Sequence, residues 1–211
     1  MVPSDLHCRR EPFTTLESRA APIDSVNLDT DIIIRIERLS QLPRGKLGPW
    51  AFEALRYRED GQEDPRFVLN QADFRGAKML LTAANFGCGS SREMAVWAIQ
   101  ELGVRCLIGS SFGDIFRANC FQNGLLVLQF SPDEIASMQA MASQGTFCVD
   151  LRMMTLRLPD GSEKSFSIDA LQRKALLEGL DEIELTLTRQ EQIKAYQMRL
   201  KAEHPWIFQT A

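Results

Sequence analysis

Histidine and cysteine are scarce in this chain. There are two histidines, His7 and His204, and five cysteines, at positions 8, 88, 106, 120 and 148. An odd number of thiols at irregular spacing does not make a disulfide framework. No Cys-x-x-Cys occurs, and Cys106 and Cys120 fall in apolar strand and helix patterns, which predicts core thiols. No metal ligands are assigned, because these residues do not build a zinc or iron–sulfur site by themselves. Long apolar runs are missing as well, and none approaches the roughly 20 residues needed to span a bilayer. The first twenty residues lack a leader-type apolar stretch and mix Arg9, Arg10 and Arg19 with Asp5, Glu11 and Glu17. A cytoplasmic protein without a membrane partner is expected. Basic residues are scattered rather than striped, which argues against nucleic acid. Internal repeats and low-complexity tracts are absent too.

What remains is the composition of an ordinary globular protein. At 211 residues and 45% hydrophobic, the chain can bury one core. Residues 1–19 read as a poorly ordered arm and 20–211 as a single domain. The formal net charge is −4, from 24 basic against 28 acidic residues. An anionic ligand would therefore be drawn in locally, by a few arginines, against a mildly repelling global field.

The richest string is Asn85-Phe-Gly-Cys-Gly-Ser-Ser-Arg-Glu93. Before it, 78–84 reads as a buried strand; after it, Ala95, Ala98, Ile99 and Leu102 recur at helical spacing until Gly103. The string is then a tight turn delivering two hydroxyls and Arg92 to the start of a helix. Unpaired N–H groups there favour an anion, and a guanidinium can grip a carboxylate through two parallel hydrogen bonds. Ser90-x-x-Glu93 is equally a capping box, in which serine and glutamate satisfy backbone donors. Both readings stand on these residues.

Strand–helix units follow. The pattern predicts a strand over 104–108, a helix begun by Ser111-x-x-Asp114, and a strand over 125–130. A helix opening at Ser131-Pro-Asp-Glu134 comes next. Strands are expected over 146–151 and 153–158, with Pro159-Asp-Gly161 turning the chain into a third over 163–168. A helix over 169–180, a strand over 181–187 and a helix capped by Thr188-x-x-Glu191 complete the chain. The fold class is α/β, with parallel strand–helix units in a mixed sheet and a late hairpin. Between Ser40 and Arg66, two turn-rich polar stretches flank a short helical segment over 50–57. A stretch of this kind is either a lid or an ordinary surface loop.

These motifs carry a resemblance. Residues 85–93 closely resemble the serine-containing motif of the aconitase superfamily's swivelling domain. Asn27-Leu-Asp-Thr-Asp-Ile-Ile33 is similar to its early Asn-x-Asp-Thr-Asp segment, and 110–126 to its second strand-to-helix unit. Chain length and Phe67-Val-Leu-Asn70 resemble the stand-alone small subunits of the isopropylmalate-dehydratase type. The likeness covers roughly 20–205 and implies the swivelling β/β/α fold. Two positions depart from the pattern: Met94 stands where the family has histidine and Val96 where it has proline. A methionine offers no proton to a ligand.

The resemblance implies removal of water from a hydroxy-diacid and its return at the neighbouring carbon, in leucine biosynthesis. It also implies a 4Fe–4S cluster carried by a large-subunit partner, with none bound by this chain alone. Matched position by position, Ser90 corresponds to the serine that takes the carbon-bound proton and Asp31 to an aspartate near the hydroxyl. Arg92 corresponds to a substrate-binding arginine, with Ser91, Thr30 and Asn85 in support. Arg44 lies in the 40–66 loop, which in the family reaches toward the substrate. Two alternatives stay open: a related hydratase for another short hydroxy-diacid, and a non-catalytic anion-binding module.

Overall fold

The computed structural model describes residues 10–89 and 92–208. Among these, eight strands form two four-stranded sheets. The first sheet is parallel, in the order β2 (Ala20–Ile23), β3 (Met79–Thr82), β4 (Cys106–Gly109), β5 (Leu126–Gln129). Every residue of β3 and β4 is buried, as expected of strands covered on both faces. The second sheet is antiparallel, in the order β1 (Thr15–Ser18), β6 (Phe147–Asp150), β7 (Thr155–Arg157), β8 (Glu163–Ser165). The α/β class and the hairpin are as expected, but parallel and antiparallel pairing are segregated into two sheets. The chain passes between them at Arg19, the one residue separating β1 from β2.

Residues 10–19 belong to the fold rather than to a loose arm. Phe13 is buried, its N–H donates to Leu176 O at 2.8 Å, and β1 pairs with β6 from Thr15↔Asp150 to Ser18↔Phe147. Burial of an aromatic ring and a full strand ladder outweigh the polar composition of this stretch. Residues 1–9 lie outside the described part of the arm.

The helices are α1 (Thr30–Ile33), α2 (Ile36–Gln41), α3 (Glu53–Arg56), α4 (Glu93–Glu101), α5 (Asp114–Gln122) and α6 (Pro132–Met141). Then come α7 (Ala170–Glu178), α8 (Glu182–Leu187) and α9 (Gln190–Glu203). The start of α6 has the full capping box expected of Ser131 and Glu134. In α7, Asp169 is the cap and Gly179 the left-handed C-cap.

Three element boundaries differ from the sequence reading. Residues 182–187 are helical, not a strand. Alternating Ile183, Leu185 and Leu187 imitate a strand, but Asp181 Oδ1 accepts from Glu184 N at 2.7 Å and Glu184 Oε2 from Asp181 N at 2.9 Å, closing a capping box. Thr188 does not cap α9, since its hydroxyl donates to Leu185 O at 2.6 Å. Ser111 does not open α5: the N-cap is Gly113, and Ser111 Oγ accepts from Asn85 N at 2.8 Å.

One cluster of buried side chains runs from Phe13 to Leu176. Phe86 stands in its middle, meeting Phe116 edge-on at 5.6 Å, Phe112 at 6.4 Å and Phe52 at 6.5 Å between ring centroids. The motif's second residue is thereby locked into the core, and the turn that follows rests on a rigid base.

Candidate active site

Beyond the C-terminal ends of β2, β3 and β4, the chain continues in parallel before each helix starts. Asn27 N donates to Ala84 O at 2.9 Å, Gly87 N to Leu28 O at 2.8 Å and Thr30 N to Cys88 O at 3.1 Å. On the other side, Phe86 N donates to Ser111 O at 3.2 Å and Gly113 N to Phe86 O at 3.0 Å. Three loops are thus laced together at the carboxyl edge of a parallel sheet, the edge where open α/β sheets bind ligands.

Close approach dictates the two glycines of the motif. Gly87 has φ +73, and a Cβ there would lie 2.3 Å from Phe116 Cγ. Gly89 has φ +86, and a Cβ there would lie 2.0 Å from Asp29 Oδ2. Only glycine fits the left-handed backbone and the contact together.

Asp29 organises the facing loop. It is the N-cap of α1; its Oδ1 accepts from Asp31 N at 2.8 Å and from the Thr30 hydroxyl at 3.4 Å. Thr30 is buried, whereas the Asp31 side chain is 54% exposed and forms an ion pair with Arg92 Nη1. Arg92 Nη1 is enclosed and makes no hydrogen bond among the described residues. The charges attract without aligned donation from Nη1.

Helix α4 begins at Glu93, and its N-cap is Arg92, in extended conformation with no side-chain cap. Ser90, the first member of the expected capping box, lies outside the described residues. Glu93 Oε1 accepts from Asn123 Nδ2 at 2.9 Å. Ser90 and Ser91, the expected proton acceptor and its neighbour, lie outside the described residues.

Asp31 and Arg92 meet in the ion pair, and Thr30 stands next to Asp31 in α1. Asn85 borders them: it has φ +58 and donates through Nδ2 to Asn27 Oδ1 at 2.8 Å, pinning the two loops. Arg44 has other partners among the described residues. Its guanidinium sits 4.6 Å from the Trp97 ring centroid and donates to Asn123 Oδ1 at 3.3 Å. A stacking face and a buried amide together hold it on α4 and α5. The turn around it is closed by Glu101, whose carboxylate accepts from Gly45 N at 2.6 Å, Leu47 N at 2.5 Å and Gly48 N at 2.9 Å. The family's departures are absorbed by packing: Val96 is fully buried and Met94 packs against the core.

Sequence reasoning missed Asp29, Glu101 and Asn123. Asp29 was legible in principle, as the first member of Asp-Thr-Asp at a helix start. Glu101 and Asn123 act across long sequence separations, with no local signal.

Over residues 10–133 the chain matches the aconitase C-terminal domain family. It is 46% identical over 200 residues to the 3-isopropylmalate dehydratase small subunit of Azorhizobium caulinodans, covering 93% of this chain and 100% of that one. To the subunit of the same name from Methylobacterium radiotolerans it is 47% identical over 199 residues, covering 93% and 99%. The solved structure of 3-isopropylmalate dehydratase from Methanocaldococcus jannaschii shares the fold, with TM-score 0.63 at 24% identity, over 87% of this chain and 99% of that one. With 46% and 47% identity over 93% of its length to these two subunits, the chain belongs to the 3-isopropylmalate dehydratase small-subunit family.

Proposed function

We propose that the chain is the small subunit of a hydro-lyase that isomerises isopropylmalate, by loss and return of water, in leucine biosynthesis. The observation that carries this reading is the Arg92 guanidinium beside Asp31, whose Nη1 is enclosed and makes no hydrogen bond among the described residues. A doubly anionic substrate needs such a donor, because the chain as a whole is acidic.

The 4Fe–4S cluster of this family does not fit the donor set of the described residues. Among the described residues no three His, Cys, Asp or Glu side chains converge as ligands. Cys106 and Cys120 are buried, and burial pushes both thiols up, away from the thiolate a cluster needs. The cluster is assigned to the large subunit, where it supplies Lewis acidity toward the departing hydroxyl.

This chain contributes the grip and the proton acceptor. Arg92 takes a substrate carboxylate through its fork. Asp31, released from that ion pair, turns to the substrate hydroxyl. Ser90, as its alkoxide, takes the carbon-bound proton, with the Arg92 charge easing its ionisation. A related hydratase for another hydroxy-diacid is the second reading, favoured by Met94 standing where the family has histidine.

The test is turnover by the chain assembled with its large subunit, on isopropylmalate and on a panel of smaller hydroxy-diacids, beside Arg92→Lys. Turnover of isopropylmalate that falls by more than about tenfold in the lysine variant supports the proposal. An assembled pair that ignores isopropylmalate and accepts a smaller diacid selects the second reading. No turnover of any diacid overturns both.

A further inference from the structure

Asn123 is buried, and its side-chain amide uses both ends fully. Oδ1 accepts from Trp97 Nε1 at 2.9 Å and from Arg44 Nη2 at 3.3 Å. Nδ2 donates to Glu93 Oε1 at 2.9 Å and to Asn119 O at 2.9 Å. Two donors face one end and two acceptors the other, which fixes the orientation of the amide. Its backbone carbonyl accepts from Gln100 Nε2 at 2.6 Å.

Helix α4 meanwhile has no side-chain N-cap from Arg92, its N-cap residue. The first turn of a helix frays unless something holds it, because its N–H groups have no intrahelical partner. Here the first helical residue, Glu93, is tied across to Asn123 at the C-terminus of α5. The residue before Glu93 is Arg92, whose guanidinium must meet Asp31 and then a ligand.

We infer that Asn123 is a positioning residue for Arg92: through Glu93 it anchors the start of α4 and so fixes where the guanidinium points. The kinetic consequence rests on the proposed role of Arg92; the positional one does not. A bond from a buried amide to a carboxylate is of the charge-assisted kind, strong enough to hold a helix end.

Four variants test this in the full chain: Glu93→Gln, Glu93→Leu, Asn123→Asp and the double variant Asn123→Asp with Glu93→Gln. Glutamine in place of Glu93 still offers an acceptor. Leucine there offers none, and aspartate in place of Asn123 faces Glu93 with a second carboxylate. In the double variant the bond returns with its polarity reversed, the introduced glutamine amide donating to the introduced aspartate carboxylate. The first readout is hydrogen exchange at the Arg92 guanidinium in the lone chain, followed by NMR. Expected is exchange near wild type in Glu93→Gln, about tenfold faster in Glu93→Leu and Asn123→Asp, and slowed again in the double variant. The second readout is kinetics with the large subunit, where KM for the diacid should rise about fivefold in Glu93→Leu with kcat little changed.

Unchanged Arg92 exchange in Glu93→Leu, or no recovery in the double variant, overturns the inference. The expected exchange pattern without any diacid turnover by the assembled wild type upholds the inference and removes the substrate role of Arg92.

Discussion

Gly89 and Asp29 compete for one volume: a Cβ built on the glycine falls 2.0 Å from Asp29 Oδ2. The same carboxylate group caps α1 and orders Asp31. The tightest point of the serine loop is therefore also the anchor of the aspartate loop.

Gly89→Ala should unseat Asp29 as well as strain the backbone. The left-handed conformation costs about 1 kcal/mol and a lost cap about 1 kcal/mol more. A thermal midpoint lowered by roughly 4–8 °C is expected, with turnover in the assembled enzyme lost. Gly45→Ala is the control. Its φ is +92 but nothing lies within 4 Å of the added Cβ, so it should show the strain alone. Equal losses in the two variants would mean that the Asp29 contact has no weight.

Glu101 closes the turn carrying Arg44 and Lys46 with three backbone hydrogen bonds. Glu101→Ala should loosen that turn while α4 persists. The bonds after Arg44 and Lys46 should then be cut by trypsin about tenfold faster or more, since bonds to a carboxylate contribute roughly 1.5–3 kcal/mol each. Cleavage at the wild-type rate would show that Arg44 on Trp97 suffices to hold the turn.

A pH dependence follows from Glu134. The hydrogen bond from Lys164, followed by those from the Ser131 N–H and hydroxyl, holds its carboxyl at about 2 against an ordinary value of 4.5. A depressed folded value means that the stabilisation is present above 4.5 and fades as pH falls toward about 2. The contact ties α6, which packs on β3 and β4, to β8 of the other sheet. Glu134→Gln should therefore be less stable than wild type at about pH 6, with the gap narrowing at about pH 3. A gap that is constant with pH would assign the loss to packing.

How much of this was legible follows from how local each cause is. The parallel units were readable because strands buried on both faces are continuous apolar runs bounded by turn residues, as Met79–Thr82 and Cys106–Gly109 are. The α8 segment misled because Ile183, Leu185 and Leu187 alternate like a strand while a local capping box decides for helix. Asp31 and Arg92 could be named from their motifs, though their ion pair could not. The partners of Arg44 could not be foreseen, since one of them, Asn123, lies 79 residues along the chain. No periodicity encodes such a contact.

Ser90 separates catalysis from helix capping more sharply now that α4 starts at Glu93 with Arg92 as its cap residue. If Ser90 were the cap, Ser90→Ala would cost about 1 kcal/mol and Ser90→Asn almost nothing, since asparagine caps as well as serine. If Ser90 is catalytic only, neither variant disturbs the helix start, whose N-cap residue is Arg92. Both should melt within about 1 °C of wild type, given roughly 2–4 °C per kcal/mol for a chain of this size. Both also lose the hydroxyl. If Ser90 takes the substrate proton, each should lose about 100-fold or more in kcat with the large subunit, the usual scale of general acid–base catalysis. Asparagine is bulkier than serine, so the alanine variant is the decisive one. Near-normal turnover in Ser90→Ala would take the proton transfer away from Ser90. A midpoint lowered in alanine and restored in asparagine would return the motif to its capping role.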